Sequence, residues 1–245
     1  VSDVEISLYQ PNPDVHTALV VVAHPDDIDF GSAGTIAVLT SSGIEVAYCL
    51  VTSGDAGGDD STHTRQERAA IREAEQTAAA LAVGVTDLTF LHWPDGQVES
   101  TLALRKALSR VIRQHRPDLV ITQSPERNFD RIFASHPDHM AVGEATLCAV
   151  YPDARNPHAF PELIEEGCAP HTVATVWIAG YEPNLVVDIT DTFPAKIAAL
   201  RSHVSQVGHR EDLDEMMRGW ASANAETAGL GAGRLAEAFR VINTA

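Results

Sequence analysis

The chain has 245 residues, 44% apolar and 21% charged, which suits a folded globular protein with a sizeable core. A formal net charge of −17 gives no basic field to attract phosphate, so nucleic acid and anionic membrane are excluded as partners. No apolar run approaches the roughly 18–20 residues that span a bilayer, and the visible N-terminal stretch lacks the basic-then-apolar pattern of a secretory signal.

Residues 1–16 read as an irregular lead-in broken by Pro11 and Pro13. Thr17 to Ala23 is a run of small and β-branched residues, the pattern of a buried strand. It ends abruptly in His24-Pro25-Asp26-Asp27-Ile28-Asp29, one imidazole and three carboxylates. Gly34 to Ser42 is expected as a helix closed by Gly43, and Ile44 to Thr52 as a second strand. The acidic loop 53–60 follows. Thr64 to Val83 predicts a strong helix stopped by Gly84, then Val85 to Leu91 a third strand and His92 to Gly96 a turn. Leu102 to His115 is amphipathic and stops before Pro117, and Asp118 to Thr122 is a fourth strand. Four strands alternating with three helices through short connections argue for a parallel sheet with right-handed crossovers. The expected fold is therefore α/β, a Rossmann-like, mostly parallel sheet flanked by helices. No G-x-G-x-x-G follows the first strand, so a dinucleotide is not expected.

Beyond the polar loop 123–135, His136-Pro137-Asp138-His139 opens the next helix, running to about Ala149. Proline favours the first helical position, which makes His136 the cap. His136 and His139 then share one face, and Asp138 lies in the positive end of the helix dipole, which accounts for it structurally. Residues 151–171 read as irregular with a short helix at 158–166. Two strands, Val173 to Ala179 and Leu185 to Ile189, and two helices, Phe193 to Val207 and about Asp212 to Ser222, complete the chain before a loose Gly-rich stretch at 228–233. The expected organisation is one domain over 1–245, with a core at 17–150 and a smaller C-terminal extension.

Each histidine cluster follows a strand of a parallel sheet, so both should open onto the same sheet edge, where ligand sites of such sheets lie. Two histidines and a carboxylate with an open fourth position suit a catalytic zinc ion. The other histidines, including His203 on a late helix, have no second ligand at metal spacing. Cys49, Cys148 and Cys168 form no C-x-x-C pair and read as free thiols of a reducing, cytoplasmic compartment. No nucleophile elbow is present.

The Ala23-His-Pro-Asp-Asp27 segment with Gly31, and His136-Pro-Asp-His139 far downstream, resemble the LmbE-like/PIG-L family of zinc-dependent N-acetylglucosaminyl deacetylases (MshB-like enzymes). The likeness extends through Thr52-Ser-Gly-Asp-Ala-Gly57, Arg72-Glu-Ala-Glu75 and Pro94-Asp95-Gly96. It implies His24, Asp27 and His139 as metal ligands and Asp26 as general base. His136 would stabilise the oxyanion or protonate the leaving amine, and Arg72 and Asp95 would bind the sugar. It implies Zn2+, with Fe2+, Co2+ or Ni2+ as substitutes at such a site. The implied reaction removes an N-acetyl group from an N-acetylglucosamine-containing small molecule or glycoconjugate. The alternatives are an amidase acting on a larger N-acyl group of a glucosaminyl conjugate, and a non-catalytic metal- or sugar-binding protein. The implied partner is that small molecule, and homo-oligomer formation stays open. The pattern departs at Ile28, where the family carries glutamate. Either the neighbouring Asp29 takes over the orienting role or Asp27 is secured by other means.

Overall fold

The computed structural model describes residues 6–58, 62–129, 132–180 and 182–245. Parts of the acidic loop 53–60 and of the loop 123–135 lie outside these residues. Among the described residues, eight strands form one sheet: β1 (Ser7–Leu8), β2 (Thr17–Val22), β3 (Glu45–Thr52), β4 (Asp87–Trp93), β5 (Leu119–Gln123), β6 (Thr175–Ala179), β7 (Leu185–Asp188) and β8 (Ala236–Asn243). Their order is β1-β7-β8-β6-β5-β2-β3-β4. All pairings are parallel except those of β8 with β6 and β7.

The helices are α1 (Asp27–Ser41), α2 (Arg65–Ala82), α3 (Leu102–His115), α4 (Pro137–Cys148), α5 (Glu162–Glu165), α6 (Phe193–Ser202), α7 (Val204–Val207) and α8 (Leu213–Thr227). They cover both faces of the sheet. Alternate residues of β2 enter two different cores: Val20 and Val22 pack with α1 and α6, while Leu19 and Val21 pack with α3 and α4. That burial on both faces is why β2 is continuously apolar rather than alternating.

Several local expectations hold with a physical cause in view. Thr64 caps α2 in a reciprocal box with Glu67, and Gly43 and Gly84 carry the positive φ, 86° and 82°, that lets the chain leave a helix. Four features differ. Helix α1 begins at Asp27, seven residues before the expected start, because the polar cluster itself forms its first turn. The late helix expected over 193–207 is broken at His203 into α6 and α7. Residues 7–8 of the lead-in add a short edge strand beside β7. Residues 236–243, beyond the expected loose stretch and assigned no element, return as β8, inserted between β6 and β7.

Strand β2 pairs with β3 on one side and β5 on the other, so the chain direction around the sheet reverses there. A crevice opens at the carboxyl ends of β2 and β5, at this switch point. The Ala23 N–H donates to Gln123 Oε1 at 2.9 Å across it.

Candidate metal and hydrolytic site

His24 and Asp27 leave the end of β2, and His139 arrives on the first turn of α4. His24 Nδ1 lies 3.2 Å from Asp27 Oδ2 and 3.2 Å from His139 Nε2, and His139 Nε2 lies 3.0 Å from Asp27 Oδ1. Three donors bound to a tetrahedral ion at about 2.0–2.1 Å stand roughly 3.3 Å apart. Asp27 meets His24 through Oδ2 and His139 through Oδ1, so the two nitrogens and this carboxylate together have the spacing and the N/N/O composition of a possible divalent-metal site. His136 also brings a ring nitrogen within 4.8 Å of those of His24 and His139.

The outer groups fix the donors. His24 Nε2 is 3.0 Å from Asp95 Oδ1 and 3.2 Å from Asp138 Oδ2, so this nitrogen carries the hydrogen and Nδ1 is left as the ligand atom. Asp138 is fully buried and also accepts from the backbone of Gly96 and Val98 at 2.8 and 3.2 Å, which ties the 94–98 turn to α4. Its place in the helix dipole explains only part of that; the contact with His24 is not legible from sequence. Asp27 accepts the His24 backbone N–H at 2.8 Å, which orients its carboxylate without help from position 28. Ile28 is wholly buried in the apolar core between sheet and α1, and Asp29 turns away from Asp27 toward α2 and α6.

Arg72 is buried, and its guanidinium donates to Gly54 O at 2.9 Å, Pro25 O at 2.6 Å and Asp26 Oδ2 at 3.1 Å. Asp95 is buried against His24 and accepts from Ala56 N at 2.9 Å. Neither residue, expected from the resemblance to meet sugar, lines the large cavity beside the site. His136 is the cap of α4, its Nδ1 accepting from Asp138 N at 3.2 Å.

The electrostatics describe a pocket that demands positive charge. Burial works against a charged His24, yet Asp27, Asp138 and Asp95 outweigh it and push its pKa up to about 12. Burial would raise the Asp27 carboxyl, but the flanking His139 and His24 hold it well below the usual range. Burial dominates at Asp26 and lifts its carboxyl to about 7, against the pull of Arg72. His136 is depressed by burial and by the neighbouring His24 and His139.

A cavity of about 770 Å³ begins at Asp27 and His139 and runs between α1, the 123–135 loop and α8. Phe30, Met216 and Trp220 supply apolar wall, and Glu126, Asn128 and Arg210 supply polar groups. That volume suits a small molecule of one or two rings.

A His/His/Asp cluster at the switch point of an open α/β sheet, with the buried carboxylates of Asp95 and Asp138 beside it and a cavity in front, has the donor set of a possible metal site in a hydrolase. The family model described as PIG-L, GlcNAc-PI de-N-acetylase, matches residues 19–150, and the chain belongs to that family of amide-cleaving enzymes. The diacetylchitobiose deacetylase of Thermococcus kodakarensis is 34% identical over 210 residues, covering 84% of this chain and 75% of that protein. The 1D-myo-inositol 2-acetamido-2-deoxy-alpha-D-glucopyranoside deacetylase 2 of Saccharopolyspora erythraea is 28% identical over 233 residues, covering 77% and 83%. The structure of N,N'-diacetylchitobiose deacetylase from Pyrococcus horikoshii superposes with a TM-score of 0.86 at 30% identity, over 94% of this chain and 85% of that one. A hydratase, GalB of Pseudomonas putida, shares the fold at 19% identity and a TM-score of 0.75, covering 94% and 97%, so the fold alone does not choose the reaction. Among the described residues no helix is long and apolar enough to cross a membrane.

Proposed function

We propose that this chain removes the N-acetyl group from an N-acetylglucosamine-containing small molecule or glycoconjugate, with His24, Asp27 and His139 holding a zinc or similar divalent ion. The approach of His24, Asp27 and His139 to 3.0–3.2 Å of one another, Asp27 through both its oxygens, carries the reading. The named activities of the two relatives, both deacetylases of 2-acetamido sugars, support the substrate class.

An amide is a poor electrophile and water a poor nucleophile. When bound, a divalent cation supplies Lewis acidity, polarising the amide carbonyl and acidifying water at the site. Asp26, next to the ligand Asp27, is the group we assign to take the proton. Arg72 holds its Oδ2, which leaves Oδ1 as the accepting oxygen. Of the two roles considered for His136, its tautomer supports the oxyanion one. Nδ1 accepts a backbone hydrogen bond, so in the neutral ring Nε2 carries the hydrogen. A neutral N–H donor beside His24 and His139 would stabilise a developing oxyanion. Burial and the neighbouring His24 and His139 hold the His136 pKa below its ordinary value, in line with this reading. Arg72 and Asp95 act by holding Asp26 and His24.

The test is acetate release from a panel of N-acetylglucosaminyl compounds, with N-propionyl and longer N-acyl analogues beside them. The chelated enzyme is to be inactive and restored by Zn2+. His139→Ala is to lose stoichiometric metal, and Asp26→Asn is to keep the metal and lose about 10²–10⁴ in kcat. A wild-type protein that binds no divalent ion refutes the assignment. Metal binding without amide cleavage leaves a binding protein, and selective turnover of the longer acyl groups makes it an amidase.

A further inference from the structure

Asp26 sits at φ 81°, ψ −26°, a left-handed conformation uncommon for a residue with a side chain. Something outside the residue must hold it there. Its N–H donates to Gln76 Oε1 at 2.8 Å. The other end of the same amide, Gln76 Nε2, donates to Asp29 Oδ2 at 3.0 Å. His203 Nε2 donates to that oxygen as well, at 2.7 Å. Gln76, Asp29 and His203 have no exposed surface at all. A line of hydrogen bonds therefore runs from the break between α6 and α7, through α1 and α2, to the backbone of the residue read above as the base.

The direction of the line is fixed by charge. A carboxylate accepts only, so Asp29 compels Gln76 to turn its NH₂ inward and its carbonyl oxygen to the Asp26 N–H. Without the Asp29 carboxylate nothing prevents the reverse orientation, which would set an amide donor against a backbone donor. His203 occupies the same oxygen and pins Asp29 from the far side. Gln76 lies one helical turn beyond Arg72 on α2, so the two residues share a face. Arg72 grips the Asp26 carboxylate and the Pro25 carbonyl while Gln76 grips the backbone.

We infer that Gln76, Asp29 and His203 are positioning residues for the reaction, a buried relay that holds Asp26 in its left-handed conformation and so aims its carboxylate. The inference rests on the reading of Asp26 as base. Asp29, though it stands beside the ligand Asp27, acts on Asp26, through α2.

The test uses the metal-loaded full-length enzyme and a substrate identified by the acetate-release screen. Gln76→Met keeps the side-chain length and removes both polar ends. It is expected to lower kcat about 10–100-fold, as loss of a group that orients a catalytic residue does, with KM and metal stoichiometry unchanged. Hydrogen exchange at the Asp26 amide is expected to accelerate. Asp29→Asn keeps the size but loses the acceptor-only charge that sets the direction of the Gln76 amide, and it places a donor where Asp29 Oδ1 has no hydrogen-bond partner; it is expected to lower kcat about as far as Gln76→Met does, and Asp29→Ala at least as far. In an Asp26→Asn background Gln76→Met is expected to cost nothing more. The relay is refuted if Gln76→Met leaves kcat unchanged, or reduces it by the same factor with and without Asp26. An inactive Asp26→Asn beside a fully active Gln76→Met removes the relay alone. An Asp26→Asn enzyme with wild-type kcat removes the base reading itself.

Discussion

Lys196 and Glu237 form an ion pair at 2.6 Å with 2% and 5% of their side chains exposed. The pair straddles α1. The ammonium also donates to Asp29 O at 2.9 Å and Phe30 O at 2.8 Å, and the carboxylate accepts from Gly34 N at 3.1 Å and Thr35 N at 2.7 Å. Lys196→Met keeps the aliphatic stem and its volume, so the packing loss is small. It leaves the Glu237 carboxylate in the interior with two backbone donors and no cation, and it strips a donor from two carbonyls. Breaking one side of a buried pair in this way costs about 3–5 kcal/mol. For a chain of this length that corresponds to a fall in Tm on the order of 10 °C. Urea unfolding at pH 7, followed by circular dichroism, measures it. The Lys196→Met/Glu237→Gln double variant is expected to recover much of the loss, because no uncompensated charge remains. A single variant within about 1 kcal/mol of wild type, or additive costs in the double variant, refutes the reasoning.

Three further outcomes follow from the geometry. Asp138→Asn removes one of the two carboxylates that hold the His24 tautomer, and metal affinity is expected to fall about 10–100-fold in competition with a chromogenic chelator. Gly143 lies where α4 crosses the end of β5, and a Cβ there would stand 2.4 Å from Gln123 O. Gly143→Ala must push α4 outward, costing about 1–3 kcal/mol and loosening metal retention through His139, read by thermal melting and metal analysis. Burial works to raise the Asp118 pKa, but donors from His16 N, Thr17 N and Thr17 Oγ1 outweigh it and hold the carboxyl below its ordinary value. A depressed folded-state pKa contributes stability that is complete above the unfolded value of about 3.9 and is lost as pH falls through the folded value. Asp118→Asn is thus expected to melt lower than wild type at pH 7, with the gap closing below about pH 4; a gap that widens in acid contradicts the assignment.

The sequence alone determined most of the αβ core. Strand β2 announces itself because it is buried on both faces and contains no polar residue between Ala18 and Ala23. Helix α3 is bounded at both ends by residues with a local physical role, the Thr101 cap and the Pro117 stop, and the structure reproduces the expected limits Leu102–His115. The two histidine clusters were legible because a parallel sheet sends the ends of its strands to one edge. That rule and the Pro137 helix start bring the clusters together; the choice of His24, Asp27 and His139 as ligands came from the family resemblance.

Tertiary structure decided the rest, wherever the cause lies far away in the chain. Strand β8 has a weak local pattern, and its place between β6 and β7 depends on partners 48 to 68 residues distant, by the pairs Asp188↔Ala236 (236 − 188) and Thr175↔Asn243 (243 − 175). Arg72 and Asp95 sit at motif positions, but only packing shows their polar atoms committed to Asp26 and His24. Asp138 has a sufficient local explanation as a helix-start carboxylate, which conceals its contact with His24. Gln76 and His203 carry no motif at all. A glutamine on an amphipathic helix and a histidine at a helix break acquire a role only when the fold brings them to either side of Asp29. Ligand type and spacing are local properties that a sequence displays. The hydrogen bonds that aim those ligands are made by whichever residues the sheet and its helices bring alongside, and that is settled by the packed fold.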